Sequence, residues 1–284
     1  MRSATYRDPL LGMYYVATLP MRKHDAARRS ANGKAPVISL FYHRVAETHR
    51  NDWTISFDRF RSQIEWARDR YEIIDLPTAQ QRIARGENHQ PAVCLTFDDG
   101  YYDNFQEAVP WLLAEKIPFT YFVTTQPMID GEPFPHDEAA GRPLSPNTPQ
   151  QIADLAAAGV EIGAHTRTHC NIGAIDDEET LYDEIVGSKQ DLETLTGKPV
   201  RYFAFPYGMP QNMSEASFRV AFRAGFWGVC SAYGGYNAPG DDCFHIQRIH
   251  GDPSWAQFRN WMTLDPRKID RPALFQSGDY RLCF

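Results

Sequence analysis

The chain has 284 residues, 43% of them hydrophobic, 13% aromatic and 23% charged. That is enough apolar content for a large buried core, and it excludes collagen-like, disordered and small disulfide-stapled classes. Its 29 Lys and Arg stand against 36 Asp and Glu, a net charge of −7, which argues against a phosphate-binding surface and so against nucleic acid as a partner. Cys94, Cys170, Cys230, Cys243 and Cys283 lie far apart without a C-x-x-C pair, a spacing that predicts neither a disulfide framework nor a thiolate zinc site.

Residues 1–35 form a basic arm. Its apolar stretch, LLGMYYVATLPM at 10–21, is too short and too polar to span a bilayer, and the cluster Arg22, Lys23, Arg28 and Arg29 follows it, the reverse of a signal peptide. The expectation is a helix packed on the body or lying on a membrane surface, in a protein that is cytoplasmic or peripheral to the membrane and not secreted. From Pro36 to residue 264 short apolar runs alternate with amphipathic stretches. Strands are expected at 37–42, 92–97, 119–123, 160–164, 200–205, 228–231 and 244–249. Helices are expected at 57–70 behind an N-cap at Ser56, at 104–115, 149–158 and 214–224, and at 177–196 before a C-cap at Gly197. This alternation predicts an α/β fold with a parallel sheet covered by helices, and seven or eight units favour a (β/α) barrel over a doubly wound sheet. Residues 126–148, with several prolines and no periodicity, read as a long surface loop able to line or lid a site, and 265–284 as an irregular tail.

Two strand ends carry chemistry. The strand at 92–97 stops at Asp98-Asp99-Gly100, placing two carboxylates where a parallel barrel opens its functional face. Read alone, the pair is sooner a helix cap in a common turn than a site. The strand at 160–164 runs into His165-Thr166-Arg167-Thr168-His169 on the same face. Two imidazoles four residues apart can converge on one ion, but Thr166 stands where a zincin protease has its glutamate base. One aspartate of the pair would then complete a three-ligand site, and the other would activate water.

These motifs resemble the polysaccharide deacetylase family, the NodB-homology domain of carbohydrate esterase family four. TFDDG at 96–100 is similar to its first motif, HTRTH at 165–169 to its second, and FAFPYG at 203–208 to its third; FYHRV at 41–45 resembles the opening strand of the poly-N-acetylglucosamine deacetylase branch. The resemblance spans roughly residues 90–250. It implies an irregular (β/α) barrel in which Asp99, His165 and His169 hold a divalent metal, zinc before Co2+, Ni2+ or Mn2+, and Asp98 is the general base. The implied substrate is an N-acetylated glycan or glycolipid, cleaved by water at the amide carbonyl. The Pro206-Tyr207 turn would face the substrate, with the Tyr207 N–H at the oxyanion. His250 in RIHGD is the expected general acid, with Asp252 able to orient it and His245 its competitor, and His43 is expected to contact substrate or pack beneath the site.

Two departures from the family pattern stand out. Ala204 occupies the third-motif position where many members carry an arginine against the general base, leaving Arg248 or Arg201 to substitute, and the fourth motif is not recognisable in SAYGGYN at 231–237. Two other readings therefore stand beside the deacetylase: hydrolysis of small cyclic amides or ureides on the same barrel, and a sugar-binding relative without turnover. Among the aromatic residues only Tyr207 is singled out by motif position.

Overall fold

The structure, a computed structural model, describes residues 7–251 and 254–269. The strands are β1 (Val37–Tyr42), the small pair β2 (Arg44–Val45) and β3 (Thr54–Ile55), β4 (Glu72–Ile73), β5 (Ala92–Phe97), β6 (Thr120–Val123), β7 (Glu161–Ala164), β8 (Tyr202–Ala204), β9 (Gly228–Cys230), β10 (His245–Ile246) and β11 (Arg248–His250). In the main sheet they run β10-β9-β8-β7-β6-β5-β1-β11, with β4 against the start of β5. Every pairing is parallel. Only Gln247 separates β10 from β11, so both ends of this path are one stretch of chain, and the sheet curls into a nearly closed barrel of eight parallel strands. The expected barrel is present.

Strand alternation sorts the core into two layers. Ala92, Cys94, Phe122, Tyr202, Ala204, Cys230 and Ile246 form an interior cluster continuous with Leu76, Ala79 and Ile83 of the helix Leu76–Arg85. That helix plugs the end of the barrel from which the strands start: Gln80 donates to the Cys243 carbonyl at 2.9 Å and accepts from the Tyr202 hydroxyl at 2.9 Å. The larger cluster, with Ile38, Leu40, Val93, Leu95, Phe97 and Phe203, lies between the sheet and its covering helices. Several interior residues are small, which leaves room for a large polar side chain near the opposite end.

Most expected elements stand within two residues of their sequence positions. Ser56 caps its helix by accepting from Arg59 N, and Gly197 ends the helix Ser188–Thr196 in the left-handed region at φ 66°. Four expectations are corrected. The helix expected at 104–115 is a 3-10 turn, Tyr102–Phe105, followed by a helix only from Ala108, because Asn104 is an anchor: its side chain accepts from Val45 N and donates to the His43 carbonyl, both at 2.8 Å. The helix expected at 177–196 contains one π turn, Asp183–Gly187. The loop at 126–148 holds two short helices, Thr125–Asp130 and Pro135–Ala139, and buries Phe134 and Leu144 against Tyr101; Pro135 opens its helix, since a first-turn proline sacrifices no internal bond. The tail begins with one helical turn, Pro266–Ile269, and residues 270–284 lie outside the described residues, as does Asp252.

The arm is the helix Arg7–Ala31, docked on the helix Trp255–Met262. Arg22 is buried and donates to the Asn260 carbonyl at 2.8 Å and to its side-chain oxygen at 2.7 Å, while Asn260 donates back to the Leu11 carbonyl at 3.0 Å. Cys94, Cys170, Cys230 and Cys243 are free thiols.

Candidate active site

Both motifs leave their strands through strained turns. Asp99, Thr166, His169 and Tyr207 all have left-handed backbone, at φ 70°, 64°, 60° and 60°, a conformation costing about 1–3 kcal/mol for a residue with a side chain. The surrounding structure holds them there. After β5, Asp98 N donates to the Tyr42 carbonyl at 2.9 Å and Gly100 N to the Asp98 carbonyl at 2.8 Å, turning the chain sharply at Asp99. After β7, Glu184 on the π turn accepts from Arg167 N and Thr168 N, each at 3.0 Å, and from the Thr168 hydroxyl at 2.7 Å. A Cβ at Gly187 would come within 2.6 Å of the Arg167 guanidinium, which ties the same loop to Asp191 and Asp183. The glycine and the π turn thus fix the His165–His169 loop.

The turns bring Asp99, His165 and His169 together, with one donor atom from each lying within 4.8 Å of the others. Asp99 Oδ1 is 3.2 Å from His165 Nε2 and 3.1 Å from His169 Nε2. His165 Nδ1 is 2.8 Å from the Ala204 carbonyl, which can only accept, so the ring's proton sits there and Nε2 turns its lone pair inward. Asp99 Oδ1 is itself buried without a hydrogen-bond donor. Three donor atoms converging at this range fit a cation, and two imidazoles with one carboxylate are the donor set of an open zinc site. Burial pushes the Asp99 carboxyl up, yet His43, His169 and His165 more than offset it and hold it well below the usual range.

Asp98 points elsewhere. Arg248, fully buried inside the barrel, grips it with two bonds, Nη1 to Oδ1 at 2.6 Å and Nη2 to Oδ2 at 2.8 Å. Arg248 also donates to Thr96 Oγ1 at 3.0 Å and to the Ser231 carbonyl at 3.0 Å, and its guanidinium lies over Phe41 and Phe122. Burial raises the Asp98 carboxyl, but Arg248 and His165 outweigh it, so Asp98 is held ionised below its ordinary value. Of the two arginines open at position 204's expense, Arg248 is the one at the site. Arg201 pairs with Glu161, near the start of β7, and lies over Trp227.

The remaining histidines separate clearly. His43 and His250 stand side by side at the ends of β1 and β11, ring centroids 6.1 Å apart. Burial lowers His43, countered by Asp99 and Asp98; His250 is depressed to about 3 by burial and by His43, with only Asp98 opposing. Both histidines therefore stand within electrostatic reach of the carboxylates. His245 is buried between Phe218 and Tyr233 without polar partners for its ring nitrogens, and burial lowers it to about 4. It is a core residue. Pro206 is buried, its carbonyl accepting from Gly208 N at 2.6 Å, and this leaves the Tyr207 side chain 54% exposed with its ring 5.2 Å from His169.

Two residues at this opening have no counterpart in the sequence expectations. Trp53, 50% exposed, lies 4.7 Å from the His43 ring and 5.4 Å from that of His250. Its loop is tied down by Arg44, which donates to the Thr48 and His49 carbonyls and forms a two-bond pair with Asp103. His136 lies 5.2 Å from the His169 ring, beside Phe134 and within 3.2 Å of the Tyr101 hydroxyl. A lone tryptophan in the polar run HRNDWTIS was the available signal for the first; His136 in its proline-rich loop offered none.

A parallel barrel whose strand ends gather a carboxylate, two imidazoles and a second carboxylate clamped by arginine defines a hydrolase of the deacetylase class. The sequence profile of polysaccharide deacetylases matches residues 85–226, half of the chain, and the protein belongs to that family. It is similar to YxkH of Bacillus subtilis, a protein named for polysaccharide deacetylation, with 21% identity over 78% of this chain and 73% of that one. It is also similar to the chitooligosaccharide deacetylase of Sinorhizobium fredii, 26% identical over 52% of this chain and 61% of that one. Among solved structures, IcaB of Ammonifex degensii superposes with a TM-score of 0.67 at 25% identity, covering 81% of this chain and 97% of that one. The Streptococcus pyogenes deacetylase PplD shares the fold with a TM-score of 0.66 at 18% identity, over 82% of this chain and 99% of that one.

Proposed function

We propose that the protein is a metal-dependent N-deacetylase of N-acetylhexosamine residues in a polysaccharide or glycolipid, with a divalent ion, zinc by its donor set, held by Asp99, His165 and His169. The observation that carries this reading is the convergence of those three donors beside a carboxylate that does not join them. A divalent ion there supplies Lewis acidity toward the amide carbonyl and lowers the pKa of water. Asp98 takes the proton as water adds to the carbonyl carbon; Arg248 keeps it ionised and fixes the direction of its lone pairs. The leaving nitrogen needs a proton, and two histidines stand at the ends of β1 and β11 to supply it. We assign delivery to His250, as its place in RIHGD implies, with His43 beside it, ring centroids 6.1 Å apart. In kinetics on a soluble oligomer, His250→Ala is expected to lower kcat by about 10²-fold or more, and His43→Ala by clearly less; the reverse order would move the acid role to His43.

Trp53 lies beside His43 and His250 and Tyr207 beside His169, exposed aromatic faces against which sugar rings can pack. Trp53→Ala is expected to raise KM for the oligomer about tenfold while kcat changes little. A fall in kcat with KM unchanged would place Trp53 in the chemical step. The sugar-binding reading without turnover loses one of its two grounds, since Arg248 stands against Asp98 where the arginine is absent at 204. The test of the function itself is product analysis: N-acetylglucosamine oligomers should yield one acetate per free amine formed, whereas opening of a cyclic ureide without acetate from any oligomer would refute the proposal.

A further inference from the structure

The helix Arg7–Ala31 buries Leu11 on the body and packs Ala26 there, yet carries polar groups on the same side and large apolar ones outward. The face turned to the body carries Arg22, Tyr14 and Thr18, whose polar groups bond to one another and to the C-terminal helix region: Arg22 Nε donates to Thr18 Oγ1 at 2.8 Å, and the Tyr14 hydroxyl to Asp265 at 3.1 Å. The face turned outward carries Leu10, Met13, Val16 and Met21, which are 62%, 61%, 69% and 54% exposed. At 100° per residue these four spread over an arc of about 140°, the outer face of the helix, and the same face continues toward the helix C-terminus through the exposed Lys23 and through Arg28, which also pairs with Asp25. Scattered surface leucines need no explanation, but four large apolar side chains on the outer face of one helix do.

We propose that this outer face lies in the surface of a lipid bilayer containing anionic phospholipid. Two features select a bilayer over a second copy of the chain. The four side chains offer on the order of 500 Å², less than the about 800 Å² per partner that a stable dimer buries, yet a face of this length suits an in-plane helix sunk about 5–10 Å into the headgroup boundary. The cationic residues fall at one end of the face, where they meet headgroup phosphates while the apolar side chains reach the acyl boundary. The helix stays in the plane because Arg22 and Asn260 clamp its other face, and no helix among the described residues is long and apolar enough to cross a membrane. The inference is independent of the reaction.

The test is flotation of the full chain with vesicles of phosphatidylcholine alone and of phosphatidylcholine with phosphatidylglycerol. The protein is expected to float with the mixed vesicles, more weakly with the neutral ones, and less at high salt. The triple variant Leu10→Ser, Met13→Ser, Val16→Ser should lose partitioning about tenfold or more, while keeping the far-ultraviolet circular dichroism and the solution mass of the parent, since all three positions are exposed. Failure of the parent to float with either vesicle, or equal flotation of the variant, would overturn the proposal. So would a dimer of the parent that the variant converts to monomer, which would assign the face to a second copy.

Discussion

Replacing Asp98 by Asn is expected to lower kcat for oligomer deacetylation by about 10²–10⁴-fold, the usual contribution of a positioned base. Stoichiometric zinc binding should survive, because Asp98 lies outside the donor set of Asp99, His165 and His169. The side chain keeps its shape and one oxygen toward Arg248 but loses the charge that accepts the proton. If zinc binding fell together with kcat, Asp98 would be a ligand or a support of one, and the division of labour between the two adjacent carboxylates would be wrong.

The second large effect is expected at Arg248. It is fully buried and paired with a buried carboxylate, and breaking such a pair by removing one partner costs about 3–5 kcal/mol because the other charge is left without compensation. Arg248→Met should therefore lower stability by about that amount in denaturant melts and bring activity down with it. Arg248→Lys separates the two consequences: one ammonium keeps the charge but cannot grip both oxygens. Its activity should fall about 10²-fold, the order expected when a catalytic group is displaced by about 1 Å, with a smaller loss of stability. The pairing also sets an acid limit. The Asp98 carboxyl is depressed in the folded chain, so its stabilising contribution is present at neutral pH and is lost as pH falls through its folded value. In Arg248→Met that acid-side slope of stability should shrink.

The legible part of this protein is its local chemistry. Asp98, Asp99, His165 and His169 each follow directly from a strand end, and the alternation of short apolar runs carries the barrel. What sequence could not decide depends on closure. Arg248 reaches Asp98 across 150 positions of chain, and only the parallel pairing of β11 with β1, Ser39 opposite Arg248, puts the guanidinium inside the barrel; that pairing has no local mark. The same closure sets His250 beside His43 and sends His245, five residues earlier on the same stretch, into the core. The helix Leu76–Arg85 shows the opposite case. Its start and stop signals, Asp75 as N-cap and left-handed Gly86 as C-cap, and its apolar Leu76, Ala79 and Ile83 at helical spacing all stand in the sequence, yet it is absent from the expected elements.

The most direct test is acetate release from N-acetylglucosamine oligomers by protein stripped with a chelator, before and after zinc is added back, alongside Asp98→Asn and His165→Ala. Activity should vanish on stripping and return with one equivalent of zinc. Asp98→Asn should bind zinc without turning over, and His165→Ala should fail at both. Full acetate release from the stripped protein, or unimpaired release by either variant, would contradict the assignment of these residues.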